Sequence, residues 1–248
     1  MDAMVLREAC EIRAGSESPK NPHLPIKGRP LDFVELPVPT PGPEQVLIEI
    51  SACGVCHTEI DEIEGRLIPP RFPVILGHEI VGRVHSLGPN AHKWRVGDRV
   101  GVAWIYSSCC LCKFCQKGNE NLCDQFKATG LDANGGYAQY TAVPQNFVYP
   151  IPTTFTDSQA APLLCAGVIG YRALRLSGAK QGDVLGLFGF GASAHIAIQI
   201  AKHRGMTVFV FTREGQKHHQ ALARKLGADW VGVTEEEPPR KLRSAIDF

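Results

Sequence analysis

Residues 184–194 read VLGLFGFGASA: an apolar, β-rich run, Val184–Phe190, passes directly into small residues able to open a helix. Outward from this stretch the texture alternates. A helix Ala192–Arg204 closed by Gly205 comes next, then a strand Thr207–Thr212, a helix around Gln216–Leu226 closed by Gly227, and a strand near Trp230–Val233. A helical run, Asp157–Leu176, precedes it. Such alternation implies right-handed crossovers and a parallel sheet. Ala245–Phe248 looks like the first half of one more strand, so the chain stops where a doubly wound sheet would continue.

Upstream, residues 1 to about 150 are rich in Pro and Gly. Short β-like runs, Val46–Ile50, Ile80–Val84, Arg99–Ala103 and Tyr137–Val143, are separated by turn residues. The expectation is an irregular β-rich domain over 1–155 followed by a partial doubly wound α/β domain over 156–248. With 248 residues, 44% of them hydrophobic, the chain can bury a sizeable core. A net charge of +1 supplies no field to gather nucleic acid or an anionic membrane, so neither is an expected partner. The N-terminus, MDAMVLREACEIRAG, mixes charges into its apolar positions and does not read as a secretory signal, and no later stretch is apolar enough to span a membrane. A cytoplasmic protein is expected.

Nine cysteines, an odd number in a chain without such a signal, point to metal before disulfides. Cys109, Cys112, Cys115 and Cys123 are spaced C-x2-C-x2-C-x7-C, which lets a tight loop offer four thiolates tetrahedrally. Four sulfurs close the shell, so a zinc held there is structural. A ferredoxin run would place its fourth cysteine three residues on and follow it with Pro; here it is seven on and followed by Asp124. A nucleic-acid finger would frame a basic helix, and only Lys113 and Lys117 lie inside this loop. Cys110 is left over as a non-ligand.

Three further features are weak one by one: Cys53-Gly-Val-Cys56-His57-Thr58, Gly77-His78-Glu79, and Cys165 in an apolar helical run. With VGDRVGV, the four-cysteine loop, GGYAQY, AAPLLCAG and the glycine turn they occur in the order found in one family. In this the chain resembles the zinc-dependent medium-chain alcohol dehydrogenases of the alcohol-preferring bacterial type, from Ala3 to its last residue. The resemblance implies a GroES-like N-terminal domain and a Rossmann second domain. It also implies a catalytic zinc held by Cys56, His78 and Cys165, with Glu79 beside it, either supporting those ligands from behind or serving as an alternate ligand. Two sulfurs and an imidazole leave a fourth position open to water or a substrate oxygen, as a catalytic site requires. Thr58 matches the proton-relay hydroxyl, and His57 the residue facing the cofactor pyrophosphate. Two positions depart from the family pattern. Glu59 stands where an Asp usually orients the ligand His, and Asp61 stands where a His often ends the relay, so proton exit is expected to differ and to run through Asp61.

The turn Gly189-Phe190-Gly191-Ala192-Ser193-Ala194 is a G-x-G-x-x-A sequence, in which Gly189, Gly191 and Ala192 bring backbone N–H groups and a helix N-terminus to a pyrophosphate. At the end of the next strand, Thr212 and Arg213 stand where an acidic residue would take the ribose of NAD. A hydroxyl beside a cation suits the 2′-phosphate of NADP, although Glu214 follows. The cofactor is NAD or NADP, with the balance slightly toward NADP.

The leading expectation is an enzyme that carries two zinc ions and transfers hydride between a small primary alcohol or aldehyde and NAD(P). The competing one is a catalytically incompetent zinc-binding fragment, because family members continue past the position of Phe248. A homo-oligomer is implied only for the full-length form, through those later strands.

Overall fold

The structure is a computed structural model that describes residues 1–10 and 29–248. The part of the N-terminal stretch beyond residue 10 whose charges argued against a secretory signal lies outside the described residues. The chain folds into two compact units, Met1–Cys165 and Ala166–Phe248.

The first unit is built on a five-stranded antiparallel sheet, in the order Val148–Pro150, Arg99–Val102, Ile80–Leu87, Gln45–Cys53, Tyr140–Pro144. Its core is β-branched, with Val46, Ile48, Ile80, Val84, Val100, Val102 and Val143 all buried, as the pleat of packed strands favours. Two register shifts along Gln45–Cys53, between Leu47 and Ile48 and between Ile50 and Ala52, bend that strand, as bulges do. A smaller antiparallel sheet joins Asp32–Glu35, Asp2–Leu6 and Val74–Ile75. The short pair Ile105–Ser107 and Lys127–Ala128 closes the base of the four-cysteine loop.

The second unit is a parallel sheet in the order Trp230–Val233, Thr207–Thr212, Val184–Phe188, Ser244–Asp247. The run at 184–190 is a strand only to Phe188. Gly189 then turns with φ +83, where an added Cβ would stand 2.7 Å from the Phe248 carbonyl oxygen, so glycine is required. Helices Ala192–His203 and Lys217–Lys225 follow the first two strands, and both lead to a left-handed glycine, Gly205 and Gly227. Leu185, Leu187, Val208, Val210, Ala194, Ile198 and Ala201 pack between strands and helices. Ala245–Phe248, expected as a partial strand, supplies Ser244–Asp247, which pairs in parallel with Val184–Phe188.

One expected element is interrupted. The run 157–176 comprises a short helix, Asp157–Ala160, a 3-10 turn, Ala161–Leu164, and a second helix, Ala166–Leu176. Cys165 between them has φ −125 and ψ −77, outside the helical region. The break takes its side chain off the helical path that apolar periodicity suggested.

Candidate metal centres and nucleotide cleft

Cys56 ends the loop that follows strand Gln45–Cys53 and caps helix His57–Glu64. The cap is a capping box with a cysteine in the place of Ser or Thr: the Cys56 backbone N–H donates to Glu59 Oε2 at 2.7 Å. The second oxygen, Glu59 Oε1, lies 2.6 Å from His78 Nδ1, and both residues are buried. With Nδ1 engaged by a carboxylate, Nε2 is the ring atom left for a metal. Trp104 packs edge-on against the imidazole at 4.9 Å. His78 and Glu79 lead into strand Ile80–Leu87 after Gly77, whose φ of +98 and close neighbours Tyr137 and Cys53 exclude a side chain. Gly54 is equally constrained: a Cβ there would fall 1.8 Å from Glu79 Oε2.

One ligand atom each from Cys56, His78, Glu79 and Cys165 lies within 4.8 Å of the other three. The two thiols are 3.6 Å apart. Sulfurs at 2.3 Å from a tetrahedral zinc would be separated by about 3.7 Å, so the pair has the spacing the ion needs. Hydrogen bonding with Cys165 pulls the Cys56 thiol down to about 3, whereas Cys165 is pushed up. Burial opposes charge on His78, but Cys56 and Glu59 raise it to about 10. Burial also lifts Glu79 to about 7. The donor set, two sulfurs, an imidazole and a carboxylate, fits zinc.

Thr58 Oγ1 is 3.6 Å from Cys56 Sγ, at the edge of this cluster. His57 Nε2 stands 3.7 Å from Asp61 Oδ1, one helical turn on, and Asp61 Oδ1 also meets Arg66 at 3.3 Å. Glu62 was not foreseen. Both its carboxyl oxygens are buried without a hydrogen-bond partner among the described residues, and burial raises it to about 8. An acid among the apolar positions of a helix is the only sequence signal that marks it.

In the second cluster, Cys109, Cys112, Cys115 and Cys123 likewise present sulfurs within 4.8 Å of one another. Cys115 Sγ is 3.8 Å from that of Cys109 and 3.5 Å from that of Cys112, again the edge lengths of a zinc–sulfur tetrahedron. Backbone N–H groups of Leu111 and Cys112 point at Cys109 Sγ and hold its thiol down to about 6. Cys110 is exposed, with φ +58, and is not part of the cluster.

In the second unit a cleft of about 390 Å³ is lined by Gly189, Gly191, Thr212, Arg213, His219 and Asp247, among others. No Cβ contact lies within 4 Å at Gly191, so a ligand can approach the backbone there. Ala192 begins the helix beside it. The Thr212 hydroxyl is turned into the sheet: it accepts from Gln220 Nε2 at 2.9 Å and donates to the Gly232 carbonyl at 3.5 Å. Arg213 is exposed at the cleft.

The chain combines a mixed-donor cluster and a four-sulfur cluster, either of which could hold a metal ion, with a parallel sheet and a glycine turn, the features of a dinucleotide fold. Residues 42–153 match the family model of the alcohol dehydrogenase GroES-like domain. The chain is 44% identical over 229 residues to the probable alcohol dehydrogenase AdhA of Mycobacterium tuberculosis, covering 90% of this chain and 66% of that protein. Among solved structures it resembles a cinnamyl alcohol dehydrogenase of Sorghum bicolor (32% identity, TM-score 0.78, 95% of this chain and 64% of that one). It also resembles a zinc-binding dehydrogenase of Sinorhizobium meliloti bound to NADP (28%, 0.75, 94% and 61%). The chain thus carries an alcohol dehydrogenase GroES-like domain over residues 42–153, and it spans 66% of the length of the curated relative it matches above. Among the described residues no helix is long and apolar enough to cross a membrane.

Proposed function

We propose that the chain carries the metal centres and nucleotide cleft of a zinc-dependent dehydrogenase that interconverts small primary alcohols and aldehydes with NAD(P). The observation that carries this reading is the convergence of Cys56, His78, Glu79 and Cys165, with the Thr58 hydroxyl at its edge. Zinc bound there would acidify a hydroxyl and polarise a carbonyl, and the nicotinamide would take or give the hydride. The chain's own residues do the rest. Glu59 fixes the His78 ring, and Cys56, His78 and Cys165, with Glu79 beside them, would hold the ion. Thr58 accepts the hydroxyl proton at Oγ1 while releasing its own, which passes on to the Asp61 carboxylate. His57 donates to the cofactor pyrophosphate, and Asp61, 3.7 Å from it, leads the proton outward. The backbone at Gly189, Gly191 and Ala192 cradles the pyrophosphate, Arg213 supports a preference for NADP, and the protein is cytoplasmic.

Metal analysis of the purified chain, run with an assay of NAD(P)H formation from ethanol and 1-propanol, tests this. Two zinc ions per chain are expected, falling to one in Cys56→Ala and to one in Cys112→Ala. Two zinc ions with no turnover would favour the second reading, a zinc-binding segment inactive alone. One zinc or none in the unaltered chain would sink both.

A further inference from the structure

The four-cysteine loop leaves the five-stranded sheet through Trp104 and returns through Phe126. Trp104 lies between strands Arg99–Val102 and Ile105–Ser107, on the way to Cys109. Phe126 lies between Cys123 and Lys127–Ala128, the strand that pairs with Ile105–Ser107. The Phe126 ring is 6.4 Å from that of Trp104 and tilted by 38°, and Trp104 meets the His78 imidazole at 4.9 Å and 76°. Both spacings are those of interacting aromatic pairs. A file of rings thus runs from the turn after Cys123 to His78 in the mixed-donor cluster.

Cys123 fixes the turn that presents Phe126. Its carbonyl accepts from the Phe126 backbone N–H at 3.0 Å, and its sulfur from that of Gln125 at 3.3 Å. Metal ligation deprotonates a thiol, and N–H donors bond a thiolate more strongly, so an ion in the four-sulfur cluster would tighten this turn. The Trp104 carbonyl accepts from the Thr129 N–H at 2.9 Å, and the Ala103 carbonyl from the Thr129 hydroxyl at 2.8 Å. The backbone at Trp104 is therefore held, and its ring is what remains to be placed. At the far end Glu59 holds one atom of the imidazole, Nδ1, at 2.6 Å. A single hydrogen bond leaves the ring free to tilt about that atom and swing Nε2, and a second ring packed against it removes that freedom.

We propose that Phe126 is a positioning residue for the mixed-donor centre. Through Trp104 it sets the tilt of the His78 ring, and the ion of the four-sulfur loop, by fixing the turn 123–126, raises the affinity of the mixed-donor centre for its own ion. The inference deepens the two-zinc reading above and rests on it. It gives the four-cysteine loop a part in the other centre beyond holding itself together.

Cadmium-113 magnetic resonance of the cadmium-loaded chain tests this without turnover. A cadmium resonance moves with the number of sulfurs bound and with ligand geometry, so the two centres give separate signals. Phe126→Ala is expected to shift the mixed-donor signal and, in chelator competition, to weaken zinc at that centre by about two- to tenfold, the worth of one aromatic pair. Cys112→Ala, which empties the four-sulfur cluster, should shift the mixed-donor signal in the same direction. Phe126→Tyr keeps the ring and should match the unaltered chain in both readouts. A mixed-donor signal unmoved in Phe126→Ala, even with a lowered urea midpoint, would overturn the positioning role and leave the two-zinc reading standing. A shift in Phe126→Ala without one in Cys112→Ala would remove the loop's ion from the coupling. An unaltered chain with no mixed-donor signal would bring down the metal reading and this inference together.

Discussion

Glu59 serves two partners through one carboxyl group, capping a helix with one oxygen and holding the His78 ring with the other. The neighbouring Glu62 has no such partners, and the consequence is a dependence of stability on pH. Its carboxyl, ordinarily near 4.5, is raised to about 8 by burial, so the folded chain keeps a proton that the unfolded chain releases. That contribution is fully present below 4.5 and is lost as the pH rises toward 8, at up to about 1.4 kcal/mol per unit. Replacing Glu62 by Gln keeps the shape and removes the titration. The urea midpoints of Glu62→Gln and the parent should be close at pH 5, and the variant should be the more resistant at pH 8. Parallel pH profiles for the two proteins would refute the assignment.

At the scale of elements, the bent run 157–176 places Cys165, and Arg99 holds that run down. From strand Arg99–Val102 its guanidinium donates to Asp157 Oδ1 at 2.8 Å, the Pro152 carbonyl at 2.6 Å and the Phe155 carbonyl at 2.8 Å. Ser51 donates to Asp157 from another strand at 2.6 Å. Helix Asp157–Ala160 has a complete capping box, with Thr156 and Gln159 exchanging hydrogen bonds, so its start is fixed locally while its direction depends on Arg99. Arg99→Met is expected to cost about 2–4 kcal/mol in urea unfolding and to weaken zinc retention at the centre that includes Cys165. Arg99→Lys should not restore it, because an ammonium cannot hold three acceptors in a planar fork. An unchanged urea midpoint in Arg99→Met would show that the run is placed by packing alone.

At the scale of the whole molecule, the two candidate zinc centres differ in what surrounds them. His78, Glu59 and Glu79 are buried against the five-stranded sheet, whereas the loop 109–123 contains only two 3-10 turns and is joined to the sheet unit through the pair Ile105–Ser107 and Lys127–Ala128. A metal held by its four sulfurs would supply most of the structure in such a loop. Chelation should therefore open residues 108–124 to limited proteolysis while the remainder of the chain stays resistant, with cleavage sites read by mass spectrometry. Equal resistance before and after chelation would mean that the loop is held by its own contacts.

Much of this was legible in the chain. Cysteine spacing has few physical explanations, and the alternation after residue 180 allows few topologies, so the four-sulfur centre and the parallel sheet could be read from sequence. The sheet's order, and the pairing of Ser244–Asp247 beside Val184–Phe188, came from the fold. Cys165 read as part of a helix because periodicity registers apolarity and not a change of φ and ψ. Thr212 read as a cofactor donor because sequence does not say that Gln220, eight residues on, occupies its hydroxyl. Glu62 carried no motif; its shift depends on neighbours brought near by tertiary contact. The sequence by itself determined which atoms can bind metal, since ligand chemistry belongs to the residue type. Only the tertiary structure decided which polar groups are left without partners, since burial and hydrogen bonding are properties of the packed chain.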